Sequence, residues 1–144
     1  MKRLVLALLT IAWIAWASSA RAELVVVVNQ DNPVSDLSSR QVIDLYMGRF
    51  NAYPDGSSVL TTDLPSDSPV REAFYRQLVG KSVAQINAYW ARLLFTGKSE
   101  PPQTIPSIND VVDYVKNNKN AIAYIHEAEL TQGLKVVYRF EDPQ

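Results

Sequence analysis

The chain has 144 residues, no cysteine, and 14 Lys and Arg against 15 Asp and Glu, for a formal net charge of −1. Without cysteine there are no disulfides, no thiol nucleophile and no thiolate metal site. Without a basic stretch there is no face for nucleic acid.

The first 22 residues read as a cleavable secretory signal. Lys2 and Arg3 form a positive start, Leu4 to Ala17 is an uncharged run, and Ala20-Arg21-Ala22 offers small residues at a cleavage site. A membrane-spanning helix needs about 20 apolar residues, and this run holds 14 before Ser18. No cysteine follows, so a lipid anchor is excluded, and no membrane anchor is expected after cleavage. Loss of residues 1–22 removes Lys2, Arg3 and Arg21 and no acid, leaving 11 bases, 15 acids and a net charge of −4. Export without disulfides suits a bacterial periplasm. Residues 23–144 are long enough to bury about two-thirds of their unfolded surface around one core, so one domain is expected.

In chain order, Leu24 to Val28 is a continuous β-branched run, which fits a strand covered on both faces. Ser38 and Gln41 form a capping box that opens a helix ending at Gly48. Asp55-Gly56 marks a turn, and Ser58 to Thr62 is a strand candidate. Ser68 as N-cap and Pro69 at the first helical position open the next helix, with Val70, Phe74 and Leu78 facing inward. Ser82 and Gln85 start another, with Ile86, Tyr89, Trp90, Leu93 and Leu94 on an apolar stripe and Phe95 placed with the core. Thr96 to Pro106 is a proline-rich loop. Ser107 and Asp110 open a last helix over Ile108 to Val115, and Ala121–Ile125 and Leu134–Phe140 are strands. The order β-α-β-α-α-α-β-turn-β predicts a layered α/β domain, helix-sheet-helix, with a mainly parallel sheet.

Catalytic sets are absent from the sequence. The single histidine, His126, has no nucleophile motif for company and reads as a surface or capping residue. No metal-ligand spacing and no cofactor motif appear, so no catalytic residue, metal or cofactor is assigned and an enzyme is not expected. The segment with the most chemistry is Thr61 to Arg71. A helix N-terminus favours negative charge, Ser66 and Ser68 add hydroxyls, and Arg71 supplies a fork for phosphate or carboxylate. Pro69 lacks an N–H, and Asp67 repels a dianion. The plainer alternative makes Ser68 a helix cap and Arg71 a solvated side chain. Tyr46, Phe50 and Tyr53 either pack the Gly48–Pro54 loop down or form an exposed patch.

Several segments, in order, resemble one lobe of the phosphate-type periplasmic substrate-binding proteins of ABC transporters. They are Val25 to Pro33; Leu37-Ser38 through Tyr46-Met47-Gly48; Tyr53-Pro54-Asp55-Gly56; Asp67-Ser68-Pro69-Val70-Arg71 through Phe74; Trp90 with Gly97; Val111 to Val115; and Ala121 to Ile125. The resemblance spans nearly all of residues 24–140. It implies a periplasmic-binding-protein-like fold and a phosphate or other small oxyanion bound at Ser66, Ser68 and Arg71. The family's Ser and Arg stand at Ser68 and Arg71, while Pro69 and Val70 replace its Gly and Thr. With one lobe in place of two, weak or vestigial binding is expected. The alternative reading is a non-catalytic interaction module of the cell envelope, docking an envelope protein or a second copy.

Overall fold

The computed structural model describes residues 23–140. The secretory-signal reading of residues 1–22 therefore lies outside the described residues. Five strands and four helices follow one another as β1 (Leu24–Asn29), α1 (Ser39–Tyr46), β2 (Leu60–Asp63), α2 (Pro69–Val79), α3 (Val83–Thr96), β3 (Gln103–Thr104), α4 (Ile108–Asn117), β4 (Ala121–His126) and β5 (Leu134–Arg139). A 3₁₀ turn, Glu127–Glu129, joins β4 to the loop before β5.

Local chemistry sets most of these boundaries. The Ser38 side chain accepts from Gln41 N while Gln41 Oε1 accepts from Ser38 N, and Ser82 with Gln85 repeats the arrangement. Ser68 caps α2 with Pro69 in its first turn, and Ser107 caps α4. Each such cap satisfies a first-turn N–H that would otherwise lack a partner.

The strands form one sheet in the order β3-β2-β4-β1-β5. Its pairing corrects the expectation of a mainly parallel sheet. β2 runs parallel to β3 and β4, but β1 is antiparallel to both β4 and β5. The short connection through the 3₁₀ turn leads from β4 to β5, and β1 lies between them, opposed to both. The two-residue β3 also went unread, because it sits inside the proline-rich loop and has no hydrophobic pattern of its own.

All six residues of β1 are buried, as the unbroken valine run predicts. A strand hidden on both faces requires cover on both sides of the sheet. One side is closed by an aromatic cluster in which Tyr46 of α1 and Phe74 of α2 meet Tyr124 of β4; the Phe74 and Tyr124 rings stack at 3.9 Å. α4 packs on β4, β1 and β5, with Val111, Val112 and Val115 buried. Each fully buried Val or Ile contributes roughly 1.5–3 kcal/mol over its exposed state. The result is an α/β lobe layered helix-sheet-helix.

Three aromatic and histidine expectations are settled by this packing. Tyr46 and Tyr53 are buried and hold the loop down, through bonds from Tyr46 Oη to Ile122 O and Tyr53 Oη to Asn120 O, whereas Phe50 is 62% exposed. Phe95, expected in the core, is 92% exposed, and Leu94 is 53% exposed. The last turn of α3 runs past the helix and sheet layers that bury Ile86 and Trp90. His126 ends β4, half-buried, and makes no side-chain capping bond.

Candidate functional site

β2 ends at Asp63, and the chain turns through Leu64, Pro65 and Ser66 into α2. That turn brings a buried carboxylate under a buried guanidinium. Asp63 is 4% exposed and Arg71 is 6% exposed, and Arg71 Nε lies 3.3 Å from Asp63 Oδ1. Around the carboxylate, Tyr75 Oη donates to Oδ2 at 2.6 Å, Leu64 N donates to Oδ1 at 2.9 Å, and Tyr124 Oη donates to Oδ1. Burial pushes the phenols of Tyr75 and Tyr124 well above their ordinary range, and the Asp63 charge adds to the effect. Both phenols therefore stay protonated as donors.

The guanidinium is held from three further directions. Its Nη1 donates to Ser66 Oγ at 2.8 Å and its Nη2 to Asn87 Oδ1 of α3 at 3.0 Å. The Tyr75 ring centroid lies 5.5 Å from Arg71 Cζ. Asn87 Nδ2 also donates to Ser66 Oγ at 3.2 Å. Arg71 is thus neither a solvated side chain nor a free cation; a buried charge stands only when paired and hydrogen-bonded.

Of the three residues singled out in the sequence, the fold brings two together. Ser66 and Arg71 are bonded to each other and both line a cavity of about 270 Å³ with Asp63, Asn87, Trp90 and Thr104. Ser68 stands apart from that wall at the helix cap, where its Oγ accepts from Arg71 N at 3.3 Å. Asp67 is exposed.

Asp63, Asn87 and Trp90 were not marked as site residues in the sequence. Asp63 had a signal, since it closes a strand at the head of the Ser- and Arg-bearing segment. Asn87 and Trp90 had none, because they reach the cavity only through the packing of α3 on α2. Three buried side-chain nitrogens among the described residues lack a hydrogen-bond partner: Arg71 Nε, Trp90 Nε1 and His126 Nδ1. Arg71 Nε faces Asp63 as an ion pair, while Trp90 belongs to a wall of this cavity. No group of His, Asp and Glu among the described residues has metal-site geometry.

Comparison with solved structures identifies the architecture. The chain superposes on an ABC-type phosphate transport receptor from Vibrio cholerae with a TM-score of 0.64 and 18% identity, covering 80% of this chain and 45% of that one. The fold is that of a substrate-binding-protein lobe. A phosphate ABC transporter substrate-binding protein from Clostridium perfringens, described as putative and solved with bound phosphate, gives 0.64 and 19% over 80% of this chain and 44% of its own. A protein from Planctomyces limnophilus, described as a possible phosphate binding protein, gives 0.60 and 17%, with 80% and 40% covered. The chain spans less than half the length of each. No family model matches, and no curated protein matches. No helix among the described residues is long and apolar enough to cross a membrane.

Proposed function

We propose that this chain is a substrate-binding-protein-like domain of the periplasm, exported by the signal at residues 1–22, that binds phosphate or another small oxyanion weakly. The site is the cavity at Ser66 and Arg71, with Ser68 acting through the cap that positions Arg71. The supporting observation is the convergence of the Arg71 guanidinium, Ser66 and Asn87 on one cavity, beside a buried Trp90 Nε1 that has no hydrogen-bond partner. A buried donor left unpaired costs about 1–3 kcal/mol, and a ligand rich in acceptor oxygens is the chemistry that relieves it. Two structural neighbours are described as phosphate transport proteins, and one of them was solved with phosphate bound.

Weakness has a physical source. Asp63 neutralises Arg71 across 3.3 Å, and Ser66 and Asn87 already accept from the guanidinium. Pro69 lacks an N–H at the helix tip, and the Ser68 hydroxyl is engaged by Arg71 N. Isothermal titration of phosphate into the protein is expected to give a dissociation constant on the order of 1 mM, about −4 kcal/mol. Asn87→Asp places a carboxylate at the exposed mouth of the cavity and is expected to abolish the heat while the circular dichroism stays unchanged. A folded wild-type protein with no heat at millimolar phosphate refutes the reading.

A second reading, a non-catalytic module that docks an envelope protein or a second copy, is supported by the exposure of Phe50 and Phe95. It predicts a stoichiometric complex, seen by sedimentation, that survives Asn87→Asp and is lost in Phe50→Ser. A monomer in envelope extract at all concentrations sinks it.

A further inference from the structure

The cavity at Arg71 does not stand alone. A second cavity of about 600 Å³ shares Trp90, Pro101 and Pro102 with it as common wall. That volume is within the range of about 300–1,000 Å³ found for small-molecule sites. Trp90 is 5% exposed and its Nε1 has no partner. Its six-membered ring runs so close to Gly48 that a Cβ there would lie 2.6 Å from Cη2, and Gly48 takes the left-handed φ of 71°. The indole is therefore held in one place where the two hollows meet. Beyond it the second cavity carries Leu60, 42% exposed, and the cations Arg49 and Lys98 against the single acid Glu100. Arg49 is paired with Asp44 at 3.1 Å, whereas Lys98 makes no ion pair among the described residues.

We infer that the joined cavities form one groove for an organic phosphate. Its oxyanion is held at Ser66, Asn87 and Arg71, and its carbon body lies over Trp90, Pro101 and Pro102 toward Leu60 and Lys98. This rests on the oxyanion reading above and extends it to the class of ligand. The reason is energetic. Asp63 cancels the Arg71 charge, so a free phosphate ion gains little beyond hydrogen bonds. An ester with an apolar body adds contact with the flat proline and indole faces, which are already rigid and lose little entropy on binding. Lys98 supplies a cation for a second acidic group on the same molecule.

The test titrates the full chain with phenyl phosphate and with inorganic phosphate, by calorimetry and by the indole N–H resonance of Trp90, assigned through Trp90→Phe. Phenyl phosphate is expected to bind at least about tenfold tighter, about 1.4 kcal/mol, and to move the Trp90 resonance. Leu60→Glu, on an exposed side chain of the second cavity, is expected to remove that preference while changing inorganic phosphate less than about twofold. Equal affinity for the two probes overturns the groove and leaves the oxyanion site standing. Equal weakening of both by Leu60→Glu overturns it too. Binding of neither probe defeats the oxyanion reading and the groove together.

Discussion

Ile122 on β4 and Asp63 on β2 are almost equally hidden, at 0% and 4% exposure. Ile122 is held by apolar contact, which has no direction and scales with the area removed from water. Asp63 is held by donors that must arrive from set directions: Tyr75, Tyr124, the Leu64 N–H and the Arg71 guanidinium. The first kind of burial tolerates apolar side chains of similar volume. The second fails when one member is lost, because the partners remain buried without it. Depth in the sheet is therefore a poor guide to what a position tolerates here.

The largest expected effect tests that contrast. Asp63→Ala strands the guanidinium and two phenols and is expected to cost about 3–5 kcal/mol in urea unfolding. Ile122→Ala leaves a cavity and costs about 2–5 kcal/mol. The two differ in rescue. Asp63→Asn combined with Arg71→Met keeps an acceptor for the tyrosines and removes the orphan charge, so it is expected to recover most of the loss. If the double variant is as unstable as Asp63→Ala, the ion pair is not what makes the site fragile.

An intermediate effect comes from alkali. Tyr75 and Tyr124 have phenol pKa values raised in the folded state, first by burial and then by Asp63. A raised folded value means that the native state holds its protons longer than the unfolded chain. The stability they confer is complete below the unfolded value of about 10 and falls as pH rises above it. Urea midpoints are expected to be level from pH 8 to about 10 and to drop beyond, with a smaller drop in Tyr75→Phe. A midpoint unchanged at higher pH would contradict the packing around Asp63.

The smallest effect is local. Ser68→Ala removes the α2 cap and is expected to cost about 1 kcal/mol. Phosphate affinity should fall less than about threefold, since Ser68 is outside the cavity wall and acts only through the α2 start. A larger loss would move Ser68 into direct contact with the ligand.

Much of the local structure was legible in the residues themselves. Ser38 with Gln41, Ser68 with Pro69, Ser82 with Gln85 and Ser107 each announced a helix start, because a cap is decided within four residues of chain. The unbroken valines of β1 announced a strand covered on both faces. The segment from Thr61 to Arg71 stands out in the sequence as the place for polar chemistry. Its arrangement was not legible, since two of the partners of Arg71, Asp63 and Asn87, lie on β2 and on α3.

The amino-acid order alone thus determined the helices, the buried first strand and the α/β class, through contacts between near neighbours in the chain. Only the folded structure decided that β1 runs against β4 and β5, that Gln103 and Thr104 pair with β2, and that Phe95 faces water. It also decided that Arg71 turns inward to Asp63 and that Trp90 stands where two hollows meet. Most of these depend on segments far apart in sequence meeting in space. No periodicity or cap encodes such a meeting; it is set by which packing buries the most apolar surface while leaving the fewest charges alone.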